Sequence, residues 1–550
     1  MSTRQPEQPT APAPRERAVL DPAHLGDIHG AFGTIRQHET GKPRSMRAQL
    51  LTLLAIVGPG LIVMVGDNDA GGVATYAQAG QNYGTSLLWV LILLIPVLIV
   101  NQEMVVRLGA VTGVGHAKLI NERFGRFWGF FSVGDLFILN FLTIVTEFIG
   151  VSLALGYFGI SKYVAVPIAA LALIGITTSG SFRSWERAMF VFVFTSLLVI
   201  PLFFIAHPHY GAIARDFVIP GIQGGANSTS VLLIIGVVGT TVAPWQLFFQ
   251  QSNVIDKRIT PRWINYERLD TWIGAFVVVI GAAAIVSVAA FAFHATPYAG
   301  RFQNAGATAT ALSHVLGPGA GTIFAIVLLN ASLIGAGALT LSTSYAFGDV
   351  FGTKSSLHRS FADAKGFYAT FSALIVGAAA IVLIPGAPLG VITLGVQALA
   401  GVLLPSASVF LLLLCNDREV LGPWCNPGWL NAIASVIVAV LVLLSLILMA
   451  TVLFPNIDVT TVSLGGGAVL AGGLLVFGAA TMRSRRGAAG VTMIGERHDV
   501  PKEEWTMPSL ALLGRPEWSM GRKVAMLTMR AYLLTSVALL ILKAVRLGGA

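Results

Sequence analysis

Long apolar segments recur along this chain and are separated by short polar stretches. A membrane helix needs about 20 apolar residues to cross about 30 Å of hydrocarbon, and most of the segments reach that length. The pattern predicts eleven membrane helices, at 50–79, 84–108, 127–156, 162–179, 187–206, 229–255, 270–294, 319–347, 367–385, 389–415 and 428–454. A twelfth, glycine-rich candidate occupies 464–482.

Two of these segments, the first and the sixth, are interrupted by residues that do not suit a membrane helix. The first contains Asp67 and Asp69, followed by the pair Gly71–Gly72, and the sixth contains Gly-Thr-Thr-Val-Ala-Pro-Trp at 239–245. A carboxylate in the middle of a membrane helix costs about 2.5–3.5 kcal/mol on insertion scales, and glycine lets the backbone leave the helix. Unwound backbone at that depth must line a cavity or be buried in protein. We therefore predict a cation site where two broken helices meet.

The positions of the two breaks also predict the architecture. Breaks in segments one and six are expected if the chain contains two five-helix repeats of opposite orientation, at 48–206 and 229–415. The core would then extend over 48–455, followed by an extra membrane helix at 456–482. The remaining 483–550 is predicted to be a cytoplasmic tail, whose apolar end at 523–547 either crosses the membrane or lies in its interface.

The basic residues of the loops predict the orientation. Lysine or arginine follows every even-numbered segment, in several cases as a group, whereas only Lys162, Arg215 and Arg301 follow odd-numbered ones. Cytoplasmic loops collect these residues, so residues 1–47 are predicted to form a cytoplasmic tail, and the protein to lie in the plasma membrane of the cell. The stretch up to Gly41 has no apolar core typical of a signal peptide, and we predict it to be disordered.

Composition agrees with this picture. The chain has 550 residues, of which 55% are hydrophobic and 11% charged, and its mean hydropathy is +0.76. Soluble domains carry about 25% charged residues, so the chain is predicted to be an all-α polytopic membrane protein. The net charge of +9 is explained by cytoplasmic loops and does not indicate nucleic-acid binding. Cys415 and Cys425 fit neither a disulfide framework nor a zinc motif.

Several motifs, spaced in order along the helices, carry a family resemblance. They are Gly58-Pro59-Gly60, Asp69-Ala70-Gly71-Gly72, Arg107-Leu108-Gly109, Glu147-Phe148-Ile149-Gly150, Gly239 to Pro244, and Gln397 with Leu403-Leu404-Pro405. Over about 50–455 the chain resembles the Nramp divalent-metal transporters. The resemblance implies an inverted-repeat fold with discontinuous helices one and six, a divalent cation as substrate, the lipid bilayer as surroundings, no cofactor and no enzyme activity. It leaves the oligomeric state open.

The chain departs from the family pattern inside the site. Members carry Asp-Pro-Gly-Asn in helix one and Ala-x-x-Met-Pro-His in helix six. Here Asp69 keeps the aspartate, but Gly72 replaces the asparagine ligand, Ala243 the methionine and Trp245 the histidine. These differences resemble a divergent branch, the NRAMP-related magnesium transporters.

The residue chemistry independently favours that branch. A methionine sulfur is a soft ligand that favours transition metals, and its absence at Ala243 leaves only oxygens: Asp69, Asp67, the hydroxyls of Thr240 and Thr241, and backbone carbonyls. Mg²⁺ prefers oxygen ligands and keeps several waters. We expect Mg²⁺ as the main substrate and Mn²⁺ as a second one. The amide of Gln397 either closes the site or makes an interhelical hydrogen bond.

Proton coupling is expected to be weak or absent. Glu147 stands at the position of a family proton-pathway carboxylate, but Ile144 replaces the second acid and Trp245 the histidine. The indole does not exchange protons. The alternatives are a proton-coupled transition-metal symporter of the ordinary Nramp type and, in another class, a Na⁺-coupled symporter for an organic solute.

Overall fold

The computed structural model describes residues 18–19, 21–37, 39, 45–386, 389–454, 457–487 and 501–514, together with the short pieces 526–527, 530–531 and 534–535. Nearly all regular structure within these ranges is helical, as the sequence predicts. The question of whether 523–547 crosses the membrane lies almost wholly outside the described residues.

The described residues of the first half of the chain form ten α-helices. They are α1 (Met46–Ile56), α2 (Pro59–Asp67), α3 (Ala70–Tyr83), α4 (Leu88–Thr112), α5 (His116–Phe124), α6 (Arg126–Tyr157), α7 (Lys162–Thr177), α8 (Phe182–Thr195), α9 (Val199–Ile205) and α10 (Tyr210–Val218). The short helices α5 and α10 lie in connections that the apolar pattern left without structure.

From residue 228 to residue 487, the described residues form ten more. They are α11 (Ser228–Thr241), α12 (Pro244–Asp256), α13 (Ile264–Phe293), α14 (Ala305–Leu316), α15 (Pro318–Phe351), α16 (Lys365–Leu383), α17 (Leu389–Leu414), α18 (Arg418–Leu421), α19 (Gly428–Leu453) and α20 (Val459–Gly487). Helix α13 begins several residues before the predicted start at 270, so the polar residues of its first two turns belong to the helix.

Within the described residues, eight helical stretches are long and apolar enough to cross a membrane alone, or nine if the bent pair α1–α2 counts as one span. The larger predicted number includes segments that are broken or short. Helix α7 is one of these, and the apolar stretches Pro405–Leu414 and Val459–Leu475 within α17 and α20 are others. All three coincide with predicted segments.

The first break lies slightly earlier than the glycine pair suggests. Helix α2 ends at Asp67, and α3 begins at Ala70. Asp69 has an extended backbone, and its carboxylate accepts the Gly72 N–H at 2.7 Å. The prediction that Gly71 and Gly72 open the helix is therefore wrong in position. The break results from aspartate acting as the N-cap, which supplies an acceptor for an unpaired N–H of the new helix.

The second break lies where the sequence predicts it. Helix α11 ends at Thr241, Val242 and Ala243 are extended, and Pro244 occupies the first position of α12. Proline suits that position because it has no N–H and its φ is already helical. Helix α11 packs against α3 and α12 packs against α2, so the two breaks meet in the centre of the molecule.

The N-terminal segment is ordered where it is described, which corrects the prediction of disorder. A hairpin of β1 (Ile28–Gly30) and β2 (Gly33–Ile35) packs against α1, with both isoleucines buried. The turn N–H of Ala31 donates to Oε2 of the buried Glu186 at 2.5 Å. The segment is too short and too mixed in composition to show an apolar run. The two buried isoleucines and the hydrogen bond to Glu186 nevertheless hold it in place. Its cytoplasmic location stays a prediction.

Candidate functional site

A small cavity lies beside the two helix breaks. Its volume open to a water-sized sphere is about 10 Å³, which is room for about one water molecule. Its lining comes from the first break, from α6, from the second break and from α17. The lining residues are Asp69, Leu139, Thr143, Gly239, Thr240, Ala243, Trp245, Val396 and Ala400.

Four of the predicted site residues therefore meet at this cavity: Asp69, Thr240, Ala243 and Trp245. Each is at most 8% exposed, because the broken helices are enclosed by the surrounding spans. Among the described lining residues, Asp69 supplies the only carboxylate. Of the other three predicted residues, Thr240 supplies a hydroxyl, Ala243 a methyl group and Trp245 an indole, and Thr143 of α6 adds a second hydroxyl. Extended backbone at Ala243 belongs to the same unwound stretch as the predicted carbonyl ligands.

Gly72 and Thr241 are not among the lining residues. The Gly72 N–H donates to Asp69, so this glycine holds the carboxylate in place. The Thr241 hydroxyl donates to the Val237 carbonyl at 2.6 Å and lies 2.8 Å from the Tyr76 hydroxyl. The hydroxyl of Thr241 thus links α11 to α3.

Asp67 points toward α12. Its Oδ1 accepts a hydrogen bond from the Gln246 amide, and the Gln102 amide in turn donates to Gln246 Oε1 at 2.9 Å. Its Oδ2 is buried and has no hydrogen-bond partner among the described residues. The two aspartates are close enough to interact electrostatically, but Asp69 is among the lining residues of the cavity and Asp67 is not.

Glu147 of α6 lies next to the first break, beside Asp69. Its Oε2 accepts the N–H of Ala70 at 3.0 Å, on the first turn of α3. A Cβ added to Gly335 of α15 would come within 2.9 Å of both Asp69 Cβ and Glu147 Oε2. The close approach of α15 to these two acids therefore depends on the absence of a side chain at Gly335.

Gln397 lies on α17 between Val396 and Ala400, which both line the cavity. Its side chain falls outside the described residues. Among the residues that are described, no three His, Cys, Asp or Glu side chains gather around one point as a metal cluster. A hard divalent cation is usually held by one or two carboxylates together with waters, and Asp69 supplies one carboxylate here.

Sequence reasoning missed three residues that shape the site: Tyr76, Gln246 and Gly335. Gln246 follows Trp245 directly and is polar within an apolar segment, which is a usable signal. Gly335 stands in a run of small residues whose role becomes clear only from the packing of α15 against α6. Tyr76 acts through Thr241, and nothing in the local pattern indicates that pairing.

Comparisons with known proteins identify the family and agree with the fold. The family described as "Natural resistance-associated macrophage protein-like", Nramp, matches residues 60–451. The chain is 29% identical to the divalent metal cation transporter MntH of Ralstonia nicotianae over 71% of this chain and 89% of that one. It is 26% identical to the protein of the same name from Bacillus subtilis, over 80% and 97% of the two chains.

A solved structure shares the fold. The crystal structure of the Eremococcus coleocola manganese transporter superimposes with a TM-score of 0.63 and 21% identity, covering 81% of this chain and 98% of that one. The predicted inverted-repeat architecture is thereby confirmed. With the family matched over most of its length, the chain belongs to the Nramp family of divalent-metal transporters, and it is a multi-pass membrane transport protein and not an enzyme.

Proposed function

We propose that this protein transports Mg²⁺ as its principal substrate and Mn²⁺ as a second one, through a site made only of oxygen ligands. The protein would lie in the plasma membrane with its N-terminus in the cytoplasm, and alternating access would rock one bundle against the other around the central site. Asp69 is the anionic ligand, and Thr240 with the extended backbone at Ala243 supplies neutral oxygens.

One observation carries the proposal: Ala243, at the family's methionine position, lines the cavity. Among the described residues that line it, none carries a sulfur or an imidazole. Soft transition metals lose their preferred ligand in such a site, whereas a hard ion loses nothing. A methyl group in place of a thioether also leaves more room for waters that Mg²⁺ keeps.

The same replacement pattern favours weak or absent proton coupling. Trp245 lines the cavity where the family has histidine, and an indole N–H donates a hydrogen bond without exchanging its proton. Glu147 is buried beside Asp69 and is the remaining acid of the family pair. The membrane potential, at about 2.3 kcal/mol per elementary charge per 100 mV, would then drive uptake.

The test is uptake into proteoliposomes with Mg²⁺, Mn²⁺, Ca²⁺ and Cd²⁺ compared side by side. The proposal expects saturable Mg²⁺ uptake that Mn²⁺ inhibits in competition and that Cd²⁺ inhibits poorly. Uptake of Cd²⁺ and Mn²⁺ with no measurable Mg²⁺ uptake would overturn it.

A second candidate is a proton-coupled Mn²⁺ symporter. Two observations favour it: the relatives are named as divalent metal cation or manganese transporters, and Glu147 lies beside Asp69 in position to trade a proton. A pH-sensitive dye trapped in the same vesicles separates the two candidates. Acidification that follows metal uptake at a clamped membrane potential identifies the symporter.

A further inference from the structure

Below the cavity, toward the predicted cytoplasmic end, buried polar side chains form a seam between α4, α12 and α13. Helix α4 packs against both of the other helices, and the seam is continuous with Asp67 through Gln246. We define the polar seam as Asn101, Gln102, Gln250, Asn253, Glu267 and Thr271, each at most 1% exposed.

Most members of the polar seam have unpaired atoms. Both side-chain polar atoms of Asn101 and Asn253 lack a hydrogen-bond partner among the described residues, as does Oε1 of Gln250. Neither carboxylate oxygen of Glu267 makes a hydrogen bond of good geometry there, and the neutral side chain of Gln250 is the one uncharged group that acts on it. Buried polar groups in native proteins are nearly always paired, and a buried carboxylate costs far more than an amide. Glu267 is therefore the member that most needs a partner.

The charges around Glu267 indicate that its missing partner is a cation. Three charged groups act on it: Asp270, Lys257 and Glu186. The Lys257 ammonium is 2.5 Å from Glu186. Asp270 accepts backbone N–H groups at the start of α2, including Gly58 at 3.0 Å. Three carboxylates thus share one ammonium, and that ammonium already belongs to Glu186.

The positions of the polar-seam residues along their helices place neutral oxygens at the level of Glu267. The Gln250 amide donates to the Thr271 hydroxyl at 2.9 Å, which joins α12 to α13. One turn toward the cytoplasmic end, Asn253 follows on α12 and Glu267 precedes on α13, because residues three or four apart share a helix face. A carboxylate with amide oxygens nearby is a hard ligand set that suits Mg²⁺ or Mn²⁺ with retained waters.

We propose that Glu267 is a second binding position for the divalent cation, between the central cavity and the cytoplasmic face. The inference rests on the proposed function, since Glu267 would take up the transported ion that the Asp69 site releases toward the cytoplasm. Passage from one carboxylate to the next shortens the distance over which a doubly charged ion moves without an anionic partner.

The test counts bound Mn²⁺ by electron paramagnetic resonance, with the full-length protein in lipid nanodiscs. The proposal expects two ions in the natural protein, one in Glu267→Gln, one in Asp69→Asn and none in the double variant. Two ions bound by Glu267→Gln with unchanged affinity would overturn it. Glu122→Gln is the control, because that carboxylate pairs with Lys118 at the surface, and it should bind as the natural protein does.

The same variants separate the two proposals. If Asp69→Asn keeps both ions while Glu267→Gln loses one, the central site is misplaced and Glu267 stands. The reverse result removes Glu267 and keeps the central site. If Glu267→Gln does not fold, Asn253→Ala replaces it and should weaken binding of the second ion by about tenfold; an unchanged affinity there would contradict the inference.

Discussion

The Oε2 atom of Glu147 lies 3.0 Å from the backbone nitrogen of Ala70 and accepts its N–H. This bond joins the middle of α6 to the first turn of α3, which begins one residue after Asp69. The acid that the family resemblance assigns to a proton pathway is thus also a structural acceptor at the start of α3. Its loss should affect the position of Asp69 as well as any proton transfer.

Glu147→Gln separates these two roles. The glutamine amide oxygen can still accept the Ala70 N–H, but the side chain no longer ionises. If transport is uncoupled, Mg²⁺ uptake should change by less than about threefold, and Glu147→Ala, which removes the acceptor, should lower it by about tenfold or more. The measurement is initial uptake in proteoliposomes at equal protein. A Glu147→Gln variant as inactive as Glu147→Ala would show that the charge itself is required.

Gly335 is predicted to be intolerant of any side chain. A Cβ there would lie 2.9 Å from both Asp69 Cβ and Glu147 Oε2, so α15 would have to move away from the site. Gly335→Ala should reduce uptake by about tenfold or more while the protein stays folded. Gly319→Ala on the same helix is the matched control, because nothing lies within 4 Å of a Cβ at that position.

Ala243 is predicted to control selectivity. Ala243→Met places a soft sulfur at the cavity and should raise Cd²⁺ binding relative to Mg²⁺. Ala243→Leu adds similar volume without sulfur, so it should lower Mg²⁺ binding without favouring Cd²⁺. Calorimetric titration of both ions measures the preference. An unchanged order in the methionine variant would mean that position 243 does not face the ion.

Acid is predicted to weaken the contact between α5 and α12. Burial lowers the pKa of His116 to about 4, and its neutral ring donates from Nδ1 to Gln251 Oε1 at 2.9 Å. As the pH falls, His116 takes up a second ring proton in the unfolded chain first, near the ordinary histidine pKa of about 6.5. The stabilisation is therefore complete above that pH and is lost as the pH falls toward 4.

The measurement is the thermal unfolding midpoint between pH 7.5 and 4.5. His116→Gln cannot titrate, and its midpoint should fall less over that range than the midpoint of the natural protein. Equal slopes in the two proteins would show that His116 contributes nothing to the acid sensitivity.

Much of the fold follows from the sequence because its signals are local. Carboxylates within an apolar segment mark the break at Asp69, and Ala243 followed by proline marks the break before α12. The hairpin at Ile28–Ile35 was missed because it is held by long-range partners, among them Glu186. Glu267 was missed because polar residues at the start of α13 hid the helix boundary.

The candidate site shows the same division. Asp69, Thr240, Ala243 and Trp245 line one cavity, because each lies at or next to a helix break and the two breaks lie close together. Their role as a cation site stays a prediction. The direction of Asp67 could not be predicted. It depends on how far the backbone turns between α2 and α3, and on the Gln246 amide, which donates a hydrogen bond to the Asp67 carboxylate.

The most direct test of the account is Mg²⁺ uptake by the natural protein and by Asp69→Asn, reconstituted in equal amounts. Asparagine keeps the size of the side chain but removes the charge that offsets dehydration of a doubly charged ion. Asp363→Asn, in an exposed loop, serves as the control. The account predicts saturable Mg²⁺ uptake in the natural protein and the control, and uptake at the level of protein-free vesicles in Asp69→Asn. Near-normal uptake in Asp69→Asn, or no Mg²⁺ uptake by a natural protein that transports Mn²⁺, would contradict it.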